Sequence, residues 1–427
     1  MDAILVVGAG PTGLMTAGEL ARLGVPCRVI DKAAAPSQTS KALAVQARTL
    51  EYFERIGLAD AAAAAGRKVH GANVFSGGRR IVHLTFDDIS SRYPFALIFP
   101  QSGTERLLTD HLSHLGVEVE RNAELVSLAQ GAEGVEAVVR RTDRGTEERV
   151  RAPWLIGCDG AHSAARHLLG VPFSGRAFEE AFSLADVRLE SDLPADEVTI
   201  YLCKGDILGF FPMAAPGQFR AVIAHGRGTA PPGAPTLDEF QRAIDAFGPR
   251  GARVSDPAWT SRFRISQRQV AAYRRGRSFL VGDAAHIHSP LGGQGMNTGI
   301  QDACNLAWKL ALVSGGRARD GLLDSYHAAL LRVTGALSRV VLWRNPAAAG
   351  ARDAAAALRA AHVPRPGPEA APPGGGGTGR ELSPKSDCAG RPRARPRRPV
   401  RGGAARRQPR PRRHGGPGGR RRAGAPL

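Results

Sequence analysis

Three glycines near the start of the chain, Gly8, Gly10 and Gly13, spell GxGxxG in "VVGAGPTG", and Asp31 stands eighteen residues beyond the last of them. The first glycine permits a tight turn, the second lets a pyrophosphate approach the backbone, and the third lets a helix pack closely on a strand. Free N–H groups and the positive dipole end of that helix then attract phosphate. At the end of the next strand, Asp31 is placed to accept hydrogen bonds from ribose hydroxyls, and its charge repels a 2′-phosphate. This pocket therefore suits FAD or NAD rather than NADP. A second stretch, "VGDAAHIHSPLGGQGMNTG" (281–299), again puts bare backbone ahead of a helix. A third, "CDGAHSAAR" (158–166), is by itself either an Asx-turn closing a strand or a ligand contact. His286 and His288 read as loop histidines, because no further ligand cluster accompanies them. Tyr201 could hydrogen-bond a phenol but reads first as an amphipathic strand residue. Arg48 could meet phosphate or cover a helix face, and no Ser/His/Asp arrangement or carboxylate pair stands out.

The elements needed to position these residues follow from periodicity. "AILVVGAG" is an apolar strand, "PTGLMTAGELARLG" a helix closed by Gly24, and "VPCRVID" a second strand. "QARTLEYFERIGL" and "TERLLTDHLSHLG" have helical spacing. "VEVE", "ELVSLAQ", "GVEAVVRR" and "EERVRAPWLIGCDG" read as a meander whose last strand rejoins a buried sheet. Residues 172–270 form a β-rich lobe with one helix, "TLDEFQRAIDAFG", and "ILGFFPM" (207–213) is expected to give it an apolar wall. "RSFLVGDAAH" returns to a buried strand before a helix from about Asn297 to Leu312. Trp154 and Trp308 are expected in the core, and no internal repeat appears.

Composition narrows the class. The 427 residues are enough for two or three domains, and the net charge of +19 is unevenly spread. From Pro346 onward lie 19 of the 58 Lys+Arg but 4 of the 39 Asp+Glu, so that segment carries +15 and residues 1–345 carry +4. The basic segment has no apolar period and cannot bury enough surface to offset its ordering entropy, so disorder is expected there. It lacks the interleaved aromatics that stack on bases, and a nucleic-acid partner is not expected. Five scattered cysteines, with no CxxC pair, point to reduced thiols. No leader precedes the first strand and no stretch approaches the roughly 20 apolar residues of a membrane span, so a cytoplasmic protein without membrane contact is expected.

Taken in order, "GAGPTG", "CDGAHSAAR" and "GDAAHIHSPLGGQGMNTG" make a trio that resembles the class A flavoprotein monooxygenases, the family of para-hydroxybenzoate hydroxylase, phenol hydroxylase and the aromatic polyketide hydroxylases. The resemblance covers about residues 1–345. It implies an α/β fold in which a Rossmann-type FAD-binding domain (1–75, 101–171, 271–345) is interrupted by a β-sheet-rich substrate domain (76–100, 172–270), followed by a disordered C-terminal tail (346–427). By the same resemblance Gly8, Gly10, Pro11, Thr12 and Gly13 hold the FAD pyrophosphate, and Asp31 with Lys32 the adenosine ribose. Gln101 and Arg106 match FAD-contacting positions. Asp159 and Gly160 belong to a motif serving both FAD and NAD(P)H, with His162 and Arg166 as candidate contacts to the nicotinamide cofactor. Gly282 and Asp283 would meet the ribityl or pyrophosphate region. Gly293, Gly295, Met296 and Asn297 would present backbone to the pyrimidine edge of the flavin, and Pro290 would lie beside it near the substrate.

The implied activity is hydroxylation of a phenolic, polyketide-type aromatic by FAD, O2 and NADPH or NADH through a flavin C4a-hydroperoxide. No second GxGxxG unit is visible, which agrees with a transiently bound reductant. A ubiquinone-pathway FAD hydroxylase shares the three motifs, and an inactive truncated flavoprotein is a further alternative. A flavin-dependent halogenase would carry WxWxIP, which Trp154, Trp259, Trp308 and Trp343 do not form. The polyketide branch has a C-terminal thioredoxin-like domain where this chain has its arginine-rich tail. The composition of that tail is what out-of-frame translation of GC-rich DNA would give.

Overall fold

The computed structural model describes residues 2–37, 40, 42–203, 205–226, 228–288 and 293–331. Ile4–Val7 is apolar at all four positions because neighbours cover it on every side. It pairs in parallel with Cys27–Ile30 and with Leu155–Gly157, Leu5 lying opposite both Arg28 and Leu155. The complete sheet runs Arg274–Arg275, Ser278–Leu280, Leu155–Gly157, Ile4–Val7, Cys27–Ile30, Val119–Glu120, and is parallel except at its first pair. Helix Pro11–Arg22 makes the first crossover. Proline suits its first position, where an N–H would have no partner, and Gly24 beyond its end takes φ +75. Leu14, Met15, Ala17 and Leu20 bury its inner face.

The antiparallel meander Ala123–Gln130, Val135–Arg141, Thr146–Ala152 is a separate sheet. The segment "EERVRAPWLIGCDG" is thus two strands: the chain leaves the meander at Ala152 and joins the parallel sheet at Leu155. Trp154 is buried between them against Phe279, with the Arg277 guanidinium 4.4 Å from its ring centre.

An eight-stranded sheet runs His286–Ile287, Arg253–Val270, Phe173–Glu190, Gln218–Ala224, Asp206–Pro212, Glu197–Cys203, Gly71–Ser76, Arg79–Thr85. Its two 18-residue strands pair antiparallel, with register shifts at Ala177/Ala181 and Asp186/Arg188. Helix Leu237–Phe247 begins where the Thr236 hydroxyl accepts the Glu239 N–H, and it buries Phe240 and Ile244 against Leu208, Phe210 and Ala221. Burying a side chain such as Phe240 is worth about 1.5–3 kcal/mol. The expected wall at 207–213 divides between two faces, because successive strand residues alternate. Leu208 and Phe210 go under the helix, while Ile207, Phe211 and Met213 lie with residues of the opposite face. A small sheet of Ala44–Val45, Ala96–Ile98 and Arg67–Val69 packs among that second group.

Two expectations need correction. The last long helix is Gly295–Ser314, beginning at Gly295 rather than near Asn297. Trp308 on it is 42% exposed, not a core residue, because it shares a helix strip with Gln301 and Asn305, away from buried Ile300, Ala303, Cys304 and Ala307. The tail at 346–427 lies outside the described residues.

Candidate functional site

At the carboxyl end of the parallel sheet the first strand turns sharply into the first helix. Gly8 has φ +101, and a β-carbon there would stand 2.5 Å from the Cys158 carbonyl oxygen; one at Gly13 would stand 1.8 Å from the Gly8 carbonyl. Gly10 differs in having open space within 4 Å of its missing side chain. The crowded glycines are therefore needed for packing, and Gly10 for the approach of a ligand to backbone. Asp31 closes the turn: its carboxylate accepts the Ala9 N–H at 2.6 Å and the Ala33 N–H at 2.8 Å, and Arg121 stands 3.8 Å away. Lys32 is exposed beside it.

The second glycine stretch folds onto the same place. Gly282 takes φ +61 and begins a short 3-10 turn, Gly282–Ala284, that leaves Asp283 exposed. A β-carbon at Gly282 would lie 2.7 Å from Thr12 Oγ1, and one at Gly299 would lie 2.3 Å from it. Thr12 thus fixes the start of helix Pro11–Arg22 against helix Gly295–Ser314, and the two positive helix ends come to one locus. Gly295 and Gly160 again have open space within 4 Å. Asn297 is fully buried, accepting the Gln46 N–H at 2.9 Å and donating to the Ala44 and Gly293 carbonyls at 2.8 and 2.7 Å. Its side chain is fully engaged with backbone, so what residue 297 itself can offer a ligand is its own backbone. Gly293 has φ +61, and Met296 packs partly against the core. Pro290 lies outside the described residues.

Asp159 ends the neighbouring strand. Its carboxylate accepts the Ser163 hydroxyl and the Ala165 N–H, capping the short helix Ala164–Leu168, while Gly160 takes φ +77 and His162 is exposed. Arg166 is 3% exposed. It donates to the Ala284 carbonyl at 2.9 Å and the Ala161 carbonyl at 2.8 Å, and lies 4.0 Å over the Phe173 ring. Such a side chain ties the Asp159 loop to the Asp283 turn and has no exposed face for a transient cofactor, against the contact expected of it. Gln101 donates to Glu105, whose carboxyl burial pushes above its ordinary range, and Arg106 is exposed on the same helix, Gln101–His114. Burial pushes the Cys158 thiol up to about 12, which makes it a packing group rather than a nucleophile.

His286 faces a carboxylate. Its Nε2 meets Asp302 Oδ2 at 2.6 Å, and no group of three or more metal-ligating side chains occurs among the described residues. Tyr201 packs in the lobe core, 5.0 Å from the Phe75 ring, and Arg48 pairs with Glu51 at 2.5 Å. The resemblance places Thr12 at the pyrophosphate, but nothing in it points to the contact of Thr12 with Gly299, the Asn297 tie to Gln46, or Asp302. A small residue at Gly299, one turn after Gly295, and an acid at 302 within an apolar run were the available signals.

The residues present fit FAD: three open glycines, two helix starts, and carboxylates at both ends of the locus. Comparison with known proteins agrees. Residues 1–340 match a family model described as FAD binding domain. The chain is 43% identical over 343 residues to 6-methylpretetramide 4-monooxygenase of Streptomyces rimosus, covering 78% of this chain and 60% of the relative. It is 37% identical to pentachlorophenol 4-monooxygenase of Sphingobium chlorophenolicum, with 76% and 61% covered. The chain therefore spans about 60% of the length of these curated relatives. Among solved structures, the anhydrotetracycline hydroxylase OxyS of Streptomyces rimosus superposes with a TM-score of 0.66 at 34% identity, over 85% of this chain and 73% of that one. With its matched region, its GxGxxG turn and the joined helix starts in agreement, the chain belongs to the FAD binding domain family, among the class A flavoprotein monooxygenases.

Proposed function

We propose that the protein is an FAD-dependent monooxygenase that hydroxylates a phenolic, polyketide-type aromatic with O2 and NADPH or NADH. The carrying observation is the junction at Thr12, Gly282 and Gly299, which brings both helix starts and the exposed Asp283 to one place. The strand that follows the Asp283 turn, His286–Ile287, pairs with Arg268 and Gln269 at the edge of the eight-stranded sheet. The cofactor turn is thus covalently and structurally continuous with the lobe proposed to hold the substrate.

When bound, FAD would supply the redox chemistry, accepting hydride from the nicotinamide cofactor and passing electrons to O2. The chain's part is to bind, orient and dry the site. N–H groups around Gly10 and at the start of helix Gly295–Ser314 would meet the anionic groups of FAD without reorganisation. Asp31 would hold the adenosine ribose and Asp283 the ribityl chain. Asn297 keeps the second helix start in register with Ala44 and Gln46. Phe182 and Phe263, stacked 5.8 Å apart, belong with Ile207 to an apolar group on the eight-stranded sheet, which supports a dry lobe. The relatives are named for 6-methylpretetramide, pentachlorophenol and anhydrotetracycline, which supports a phenolic, polyketide-type substrate here.

The test is to purify the full chain with FAD and follow NADPH and NADH oxidation with a panel of phenolic ring systems under 18O2. The proposal expects a yellow protein, phenol-stimulated oxidation, and label in the organic product. Oxidation that yields hydrogen peroxide with every phenol and labels none of them would overturn it.

A further inference from the structure

Behind the turn that carries Asp283 lies a buried carboxylate–imidazole pair. Asp302, on helix Gly295–Ser314, and His286 are each 3% exposed. Besides meeting His286 Nε2, Asp302 Oδ2 lies 3.3 Å from the Gly282 N–H that donates to it. One carboxylate therefore holds both ends of the five-residue path from Gly282 to His286. His286 Nδ1 is buried with no hydrogen-bond partner. A bare Nε2 lone pair facing a carboxylate would be repulsive, so Nε2 carries the proton that Asp302 accepts. Among the described residues His286 is the one ion-pair partner of Asp302, and a buried carboxylate without a cation is costly.

We propose that Asp302 and His286 are a positioning pair that holds the Gly282–Asp283 turn in its FAD-binding shape, and that this hold requires the charged imidazole, so that FAD retention depends on pH. The inference rests on the FAD reading above and adds a control within that site. Burial by itself lowers the proton affinity of His286, but the charge and hydrogen bond of Asp302, with Asp283 beyond, outweigh it and hold the group above its ordinary range. The other charged and titratable groups around the pair are few. His288 stacks parallel on His286 with centroids 6.3 Å apart, and Tyr273 is tilted at 6.0 Å. Arg268 lies opposite Ile287 in the adjoining strand, Arg166 donates to the Ala284 carbonyl, and the Tyr326 hydroxyl donates to the Leu280 carbonyl. Tyr326 and Cys158 are pushed above their ordinary ranges by burial, with the Asp302 charge adding to it.

A raised folded value means that the hold is complete below the ordinary histidine range and is lost as pH rises through the raised value. Loss of the Nδ1 proton to solvent keeps the Nε2 hydrogen bond but leaves the Asp302 charge uncompensated. FAD affinity of the full chain, read by quenching of flavin fluorescence from about pH 6 to pH 9, tests this with wild type, H286Q, D302N and H288N, with thermal transitions of each apoprotein as the folding control. The wild-type Kd is expected to weaken about tenfold or more across that range. H286Q and D302N should bind more weakly at low pH and show no step, whereas H288N should keep the wild-type step. A flat wild-type profile, or a step that survives in H286Q or in D302N, would overturn the proposal. A wild-type chain that takes up no FAD at any pH would overturn the cofactor reading itself, and this one with it.

Discussion

The Thr12 hydroxyl oxygen occupies the space a side chain at Gly299 would need, 2.3 Å from where its β-carbon would stand. This contact sets how closely the helix bearing the first glycine turn approaches the helix that ends the second. Gly299→Ala must push the helices apart or force Thr12 off its rotamer, an overpacking cost of about 1–3 kcal/mol. FAD affinity should fall with it, because the two helix starts would no longer converge. Removing the hydroxyl and its methyl partner should relieve the clash, so Thr12→Gly/Gly299→Ala should recover part of both losses. A double-mutant cycle on urea midpoint and FAD Kd measures that coupling, and strict additivity would deny the contact any role.

The hold of Asp31 on the glycine turn can be separated from its proposed hold on the adenosine ribose. Its carboxylate already accepts backbone N–H groups from Ala9 and Ala33, so it organises the glycine turn before any ribose arrives. Hydrogen bonds to a charged acceptor contribute about 1.5–3 kcal/mol each. Asp31→Asn leaves one acceptor and brings an amide that donates where the backbone also donates. FAD binding should weaken by about 10–100-fold, and the apoprotein should also lose stability. A weakened Kd with an unchanged apoprotein melt would assign Asp31 to the ribose alone.

What was legible in the sequence was what is local. Gly8, Gly10, Gly13 and Asp31 lie within one βαβ unit, where turn, helix start and strand end are fixed by neighbours in the chain. The contact of Thr12 with Gly282 and Gly299, and the tie of Asn297 to Gln46, join segments separated by most of the chain, and no periodicity reports on them. Trp308 and Lys309 show the same limit in reverse. Residue type predicts a buried tryptophan and an exposed lysine, yet the helix angle exposes Trp308 and turns Lys309 inward, with 4% of it exposed. The resemblance implies Arg166 as a contact to the nicotinamide cofactor, and the fold turns its guanidinium onto two backbone carbonyls.

Lys309 gives a pH dependence of definite sign. Burial lowers its ammonium from the ordinary 10.5 to about 8, with its Nζ 5.5 Å from the centre of the Trp308 ring. The unfolded chain therefore binds this proton more tightly than the folded one, and stability rises with pH between those two values. Lys309→Met keeps the packing stem and removes the charge. It should raise the urea midpoint at neutral pH and flatten the profile between about pH 8 and pH 10. If the variant and wild type have parallel profiles there, the lysine is solvated and its burial carries no energetic consequence.

In the eight-stranded sheet, Arg220 and Asp186 form a buried cross-strand pair, Nε to Oδ1 at 2.6 Å, and Trp259 Nε1 donates to Asp186 Oδ2 at 2.6 Å. All three lie on neighbouring strands near the register shift at Asp186/Arg188, so the network pins the strand where the ladder is irregular. Arg220→Met leaves the Asp186 carboxylate buried with the neutral Trp259 indole donating to it and no guanidinium beside it, and should cost about 3–5 kcal/mol, read as a lower urea midpoint at unchanged slope. Replacing both charges, Asp186→Leu/Arg220→Met, removes the buried charge as well as its partner and should return most of that stability. Phenol-dependent turnover separates the alternatives: if the pair serves the fold alone, the double variant restores activity with stability. If it also sets the shape of the substrate face, stability returns while KM for the phenol stays raised.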